Sequence, residues 1–587
     1  MVETDGHTRN LSSGHRAVPR GIKALSWYPA RGINVILGGG DVGKTTILDA
    51  VALLLNPTNS TTISDTDYYA RNVDAGFIIE AVVSLPLDSG INSDVKPSLP
   101  WVWNGTEAIV PSMEEGDGTP GDPVYRLRVR GTEHLELSYE IVQPNNSEDL
   151  FRVALRRAIG LVRLAGDDRN DRDLRLVQGS ALDRLLSDKG LRSRLASGLA
   201  RDGAKEHLKT DAKKALDALD EAFKKDSLPS QLDLAITGSQ GISIAALIGL
   251  TADRQGIHLP LASWGAGTRR IAALAIAEQN QGETPITVVD EIERGLEPYR
   301  QCLLMDKLQR GKSQAFVTTH SLFALSSASE ASLWYVDHEG RIGLLDRKKT
   351  ATHRKADPQT FLSRLAIVSE GAAEKGFVTA LLEKTLGSSL EKFGVHVSNG
   401  GGHESTLGLL EALADGGLRF GGFTDNEDGK HPERWKKVVA KLGQLLFRWN
   451  NGCLEENIIG AIPENNLAAL PNDPEDEKTG ARLRTLAMRL GEPNKELENI
   501  KKVAGANLRK LILDAALGRV PEGTDSQQAK DYRKHAQDWF KTASGGRELL
   551  GKMFTLGAWP ELKSQLMVFC NAVRKAVGLP EIQDLVP

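Results

Sequence analysis

INVIL-GGGDVGKT-TILDAVALLL fills residues 33–55. Its reading decides the fold of the chain's first part. Five residues of strand length are followed by a glycine-rich turn and then by a helix-forming apolar run. Gly38 through Thr45 match G-x-x-x-x-G-K-[ST]. Gly38, Gly40 and Gly43 let the loop curl so that backbone N–H groups point at phosphate, and the helix that follows adds the positive end of its dipole. Lys44 then reaches the outer phosphates and the Thr45 hydroxyl ligates Mg²⁺, with Thr46 beside it at the helix start. The stretch predicts ATP with one magnesium ion.

Four further segments extend this reading. ITVVDE (286–291) is an apolar strand ending in two carboxylates. Asp290 is placed to hold Mg²⁺ and Glu291 to polarise the attacking water. SWGAGTRR (263–270) leads into the helix IAALAIAEQ, and FVTTHS (316–321) puts His320 at the end of a strand. GLEP (295–298) lies between ITVVDE and FVTTHS. In this order the set resembles an ABC-type P-loop ATPase. The resemblance implies a signature loop in Ser263, Gly265 and Gly267, a switch histidine in His320 and a D-loop in GLEP. Because a signature loop completes the partner's ATP site, it also implies a head-to-head dimer. The long gap between Lys44 and Asp290 fits the RecF/SMC branch, with an inserted arm.

The last third carries a second chemistry. AIVSEGAAEKGFVTALL (366–382) reads as strand, tight turn and helix, with Glu370 at the strand end and Glu374 one turn further on. FGGFTDNEDG (420–429) is another strand ending in acids, where Asp425 and Glu427 alternate and share a side if extended geometry persists. CLEENII (453–459) adds Glu455 and Glu456. Carboxylates at the C-terminal ends of parallel strands converge on one sheet edge. Hard oxygen ligands suit Mg²⁺ or Mn²⁺, and two such ions support phosphodiester cleavage.

This arrangement resembles the Toprim domain, except that Glu427 stands where that domain has the second Asp of D-x-D. An ATPase upstream of a Toprim domain resembles the OLD (overcoming lysogenization defect) family. The segments SDTDYYAR (64–71), RDLRLVQGSALDRLL (172–186), SWGAGTRR and VSEGAAEKGF (368–377) look especially like it. Class 2 members, which include the Gabija nuclease subunit, are the nearer pattern. The resemblance implies a two-metal DNA endonuclease or nickase of phage defence or DNA repair, working as a homodimer or tetramer, in some members beside a UvrD-like helicase. It also implies a catalytic lysine late in the chain. In FKTASGGRELLGKMF (540–554), Lys552 is the first choice and Lys541 the second. The rival is a RecF/SMC-like DNA-binding ATPase whose Toprim fold is structural.

Composition frames these readings. The 587 residues are 40% hydrophobic and 26% charged, ordinary for a globular chain of two or more domains. Three scattered cysteines without a CxxC point to neither disulfides nor zinc. With no signal-like or membrane-length apolar run, a cytoplasmic protein is expected. The net charge is −4, but residues 151–225 hold 18 Lys and Arg against 12 Asp and Glu, enough to face phosphates. The expected class is α/β. Residues 1–150 form the first ATPase lobe and 151–230 a helical dimerisation insert with Leu191, Leu195, Leu199, Leu208, Ala212, Leu216, Leu219 and Phe223 as its stripe. Residues 231–345 form the second ATPase lobe, 346–362 a linker, and 363–587 the Toprim domain with helical additions.

Overall fold

The computed structural model describes residues 11–16, 22–57, 61–85, 91, 98–111, 121–164, 172–177, 180–186, 208–236, 248–279, 286–311, 313–336, 341–416, 420–426, 431–473, 475 and 477–585. The chain divides into two units, Met1–Leu344 and Leu345–Pro587. Among the described residues no helix is long and apolar enough to cross a membrane.

The first unit is organised by a six-stranded sheet. Its strands are β1 (Ile33–Leu37), β2 (Leu161–Leu164), β3 (Ile286–Val289), β4 (Ala315–Thr318), β5 (Ser332–Val336) and β6 (Ile342–Leu344), in the order β2-β3-β4-β1-β5-β6. All neighbours are parallel except the β5–β6 edge pair. A central parallel strand is covered on both faces, and so all five residues of β1 are buried. Helix α1 (Lys44–Leu54) follows β1, α2 (Ala266–Glu278) precedes β3, and α3 (Pro298–Arg310) connects β3 to β4. An antiparallel sheet includes Phe77–Val83, Asp122–Gly131 and Leu137–Val142. The Asp122–Gly131 strand is not evident in the sequence pattern. On this sheet Arg126 and Arg128 share the Glu80 carboxylate at 2.6 and 2.7 Å.

Two expectations need correction. Residues 151–230 are not wholly a helical insert, because Leu161–Leu164 is the edge strand β2, in register with β3. A four-residue strand between helices is too short to show a period of its own. In the helix Thr210–Lys225, the stripe residues Ala212, Leu216, Leu219 and Phe223 are buried, as is Leu208 before it. This part of the stripe is therefore a core face rather than an exposed arm. Leu191, Leu195 and Leu199 lie outside the described residues. Residues 346–362 are not a linker either. They form helix α4 (Arg347–Ala356) and a 3-10 turn, Pro358–Phe361. Asp346 caps α4 by accepting from the N–H groups of Lys348 and Lys349. The face it buries is Thr350, His353 and Arg354, polar residues that leave no apolar periodicity to read.

The second unit is built on four parallel strands, β7 (Leu365–Ser369), β8 (Val395–Asn399), β9 (Phe420–Thr424) and β10 (Leu446–Arg448), in the order β8-β7-β9-β10. Helices α5 (Ala372–Leu386), α6 (His403–Asp415), α7 (Pro432–Leu442) and α8 (Leu454–Ala461) follow the four strands in turn. Every strand therefore ends on the same edge, where β–α turns gather functional groups. Phe423 and Phe447 stack with centroids 4.7 Å apart, and Trp449 meets both rings edge-on. Further helices complete the unit, among them α9 (Ala543–Thr555). Helices α5 and α9 touch backbone to backbone through glycines. A Cβ on Gly376 would stand 2.6 Å from the Ala543 carbonyl carbon and closer to its oxygen. A Cβ on Gly546 would stand 2.8 Å from the carbonyl carbon of Ala373.

Candidate active sites

In the first unit the glycine loop closes on its own lysine. Gly38 and Gly43 have φ of 146° and 96°, a region that side chains disfavour. A Cβ on Gly43 would meet the Ile22 side chain at 2.8 Å. The Lys44 ammonium donates to the carbonyls of Gly38 and Gly39 at 3.1 and 2.6 Å. Burial pulls its pKa down, against the opposing pull of Asp290. The Thr45 hydroxyl lies 3.3 Å from Asp290 Oδ1, which also accepts from Thr318 at 2.7 Å. Hydroxyl and carboxylate thus meet beside the glycine loop.

Glu291 adopts the left-handed region with φ of 48°, unusual for a residue with a side chain. The turn that holds it is pinned by Arg270, whose guanidinium donates to the backbone oxygens of Asp290, Glu291 and Arg294 at 2.9, 3.0 and 2.7 Å. Arg270 and Thr318 are participants that motif reading missed, although Arg270 lies inside SWGAGTRR. The His320 backbone N–H donates to Glu293 Oε1 at 2.8 Å. Burial, then the charge of Lys44, lowers the His320 pKa and favours a neutral ring. The Ser263 hydroxyl donates to Pro260 O at 2.6 Å, and Gly267 packs on Gly295, where a Cβ would collide with the backbone. SWGAGTRR and GLEP therefore lie against each other within one chain.

In the second unit four acids converge at the strand-end edge. Glu370 follows β7, Glu374 lies in the first turn of α5, Asp425 follows β9, and Glu455 lies in the first turn of α8. All four are buried. Glu370 Oε2 accepts from the Asp425 N–H at 3.2 Å, and Asp425 Oδ1 accepts from the Leu454 N–H at 3.0 Å. A Cβ on Gly371 would lie 2.7 Å from Glu374 Oε2, so the glycine leaves room for that carboxylate where it now stands. Lys541 pairs with Glu455 at 2.8 Å. Burial, followed by the neighbouring charges of Glu374, Glu370 and Glu455, pushes the Asp425 carboxyl up to about 9. Glu374 is raised by burial and then by Glu455. Burial works to lower the Lys541 pKa, yet the Glu455 charge and hydrogen bond leave it raised.

The remaining sequence candidates fall elsewhere. Lys552, the first choice, donates to the Asn472 carbonyl and pairs with Glu548 at 3.3 Å. Its place on the buried side of α9 gives it a packing role, whereas Lys541 before that helix is the lysine beside the acids. Glu456 caps its own helix by accepting from Cys453 N–H at 3.0 Å, and it pairs with Arg519. Adjacent residues on a helix point about 100° apart, so Glu455 and Glu456 do not serve one site. Glu427 lies outside the described residues. Three neighbours were not anticipated. His403, at the start of α6, has Nδ1 3.5 Å from Glu370 Oε1. Arg448 donates to Asp425 O at 3.3 Å and lies 4.8 Å over the Trp435 ring. The Cys453 thiol donates to Glu455 at 3.3 Å, and burial pushes its pKa far up. None belongs to the acid pattern that marks the site in sequence.

The donor set suits hard divalent cations: four buried carboxylates face one ammonium. Among the described residues, no three His, Cys, Asp or Glu side chains are close enough to enclose one ion.

A family model described as "AAA domain, putative AbiEii toxin, Type IV TA system" matches residues 133–326. One described as "Overcoming lysogenization defect protein-like, TOPRIM domain" matches residues 361–426. The chain is thus a P-loop ATPase followed by a Toprim domain, a nucleotide-binding and nuclease-like pairing that implies nucleotide and divalent-metal use. That pairing is the one found in OLD family ATPase–Toprim proteins. No curated protein matches the chain. Among solved structures, the Smc head bound to the C-winged helix domain of ScpA is 15% identical, covering 59% of this chain and 99% of that one, with a TM-score of 0.36. The recombination mediator RecF with ATPrS is 13% identical over 58% and 100%, also at 0.36. The Smc head with an extended coiled coil from Pyrococcus furiosus is 11% identical over 60% and 98%, at 0.36.

Proposed function

We propose that this chain is an ATP-binding, Mg²⁺- or Mn²⁺-dependent endonuclease that nicks or cuts DNA with its Toprim acids, in phage defence or DNA repair. The observation that carries the reading is the convergence of Glu370, Glu374, Asp425 and Glu455 with Lys541 at one edge of a parallel sheet. The four carboxylates, which do not enclose an ion as they stand, would draw in around the metal, with Glu427 as a further ligand. Divalent cations bound there supply Lewis-acid activation of water and stabilise the leaving oxygen. Lys541 neutralises charge that develops on the phosphate, and a fixed ammonium does so without reorganising. Glu370 and Asp425 are held in place by backbone N–H groups.

The ATPase unit binds nucleotide through Gly38, Gly40, Gly43, Lys44, Thr45, Thr46 and Asp290. Glu291 and His320 serve hydrolysis, and Ser263, Gly265 and Gly267 complete the site of a second copy. A homodimer or tetramer follows from that arrangement, and a UvrD-like helicase is the partner class that the family reading adds. Plasmid nicking with Mg²⁺ or Mn²⁺, with and without ATP, tests the proposal. Wild type should nick, and Glu370→Ala and Asp425→Ala should not. A second reading, a RecF/SMC-like ATPase that binds DNA without cutting it, is favoured by the lack of a three-ligand cluster among the described residues. Wild-type protein that binds DNA and never nicks it would decide for that reading.

A further inference from the structure

Helix α4 is the most one-sidedly charged element of the described second unit. Five of the ten residues in RKKTATHRKA are Lys or Arg, one is His, and none is acidic. Arg347, Lys348 and Lys349 crowd its first turn, where the helix dipole favours negative charge. Helix stability alone therefore does not account for them. Thr350, His353 and Arg354 face inward, whereas Arg347, Lys348, Lys349 and Lys355 are exposed. Lys348, Thr352 and Lys355 fall at i, i+4 and i+7 and form one outward stripe.

The helix is also tied to the acid site. His353 Nε2 lies 3.1 Å from the Ser405 hydroxyl, in the first turn of α6. Two residues before Ser405, His403 meets Glu370. The chain of contacts runs α4, Ser405, His403, Glu370, all within one unit. These contacts run through the buried face of α4 and hold the helix against α6, while its lysines stay on the opposite, exposed face.

We propose that α4 is a DNA-backbone contact of the nuclease unit, holding phosphates through Lys348, Lys349 and Lys355 beside the strand-end acids. This rests on the reading that the chain acts on DNA. Phosphate contacts release counterions, so the binding constant falls steeply with salt, by about one power per contact.

The test uses the full chain. Binding of a short labelled duplex is measured in Ca²⁺ across roughly 50 to 200 mM salt, and plasmid nicking is measured in Mn²⁺. The triple variant Lys348→Gln, Lys349→Gln, Lys355→Gln is compared with a control, Lys495→Gln, Lys502→Gln, Lys530→Gln. The control makes the same charge change at exposed positions of the helical additions. The α4 variant should bind more weakly by about tenfold or more, with the log–log salt slope shallower by about 2–3, while the control keeps wild-type slope and affinity. Equal slopes and affinities in wild type and the α4 variant overturn the inference. So does an equal loss in both triple variants. If wild type never nicks but the α4 variant alone loses affinity and slope, the endonuclease reading falls and the α4 contact stands. Wild type that binds no DNA at all overturns both.

Discussion

Gly376→Ala is the substitution on which the geometry of the second unit bears most directly. The added methyl would lie 2.6 Å from the Ala543 carbonyl carbon, where carbon atoms normally rest about 3.5–4.0 Å apart. Both collision partners are backbone, so no rotamer change relieves them. Helices α5 and α9 must part by about 1 Å, at a cost of roughly 1–3 kcal/mol for overpacking. The displacement falls on the site, because α5 carries Glu374 and Lys541 lies two residues before α9. A misplacement of about 1 Å costs on the order of 10²-fold in rate. Gly551→Ala is the matched control. It lies on α9 itself, its Cβ would meet nothing within 4 Å, and helix propensity makes it neutral or stabilising by up to about 1 kcal/mol. Thermal unfolding and plasmid nicking are measured for both variants. Gly376→Ala should lower the midpoint and the nicking rate together, with Gly551→Ala matching or exceeding wild type in stability. A Gly376→Ala protein with wild-type midpoint and wild-type nicking would refute the backbone crossing and the placement of Lys541 that depends on it.

Other outcomes follow from the same structure. Lys541→Met should cut nicking by about 10²-fold or more through lost charge stabilisation, whereas Lys552→Met should chiefly lower the unfolding midpoint; the reverse pattern returns the catalytic role to Lys552. Lys44→Ala should abolish ATP binding and Glu291→Gln should keep binding but slow hydrolysis, while Asp425→Ala leaves ATP turnover intact; filter binding and phosphate release measure these. The Asp425 pKa lies above its ordinary 3.8, at about 9. Stability from that group is present below the ordinary value and is lost as pH rises through the folded one. Metal-free protein should therefore lose midpoint between about pH 4 and 9, and Mn²⁺ should oppose the loss; identical pH profiles with and without Mn²⁺ would count against metal at the acids. A fragment starting at Leu345 should fold by circular dichroism, and one starting at Asp357 should be less stable, because it lacks the buried Thr350, His353 and Arg354 of α4.

Legibility from sequence tracked the range of the interactions. INVIL-GGGDVGKT and AIVSEGAAEKGF are strand–turn–helix units whose geometry is set by neighbouring residues, and both the α/β class and the ATPase–Toprim pairing could be read from such segments. The acids Glu370, Glu374, Asp425 and Glu455 were legible because parallel topology sends strand ends to one edge. The choice between Lys541 and Lys552 was not, since it depends on where α9 crosses α5, a contact between segments far apart in the chain. Helix α4 is hidden in the sequence for a different reason: its inward face is Thr350, His353 and Arg354, held by hydrogen bonds such as that from Thr350 to Asp346 O. Hydrophobic periodicity cannot register a helix that buries polar groups.

The crossing of α5 and α9 also sets an order of assembly on the ribosome. Glu370 and Glu374 are made on the order of 170 residues before Lys541. At about 5–20 residues per second, they wait roughly 10–30 s for it. Once residue 461 is made, the four-stranded sheet and all four acids are present, yet the acids lack their ammonium and α9, which packs on α5 at Gly376, is still to come. A chain stalled after Glu455 and before Lys541 would carry all four acids without the ammonium that pairs with Glu455.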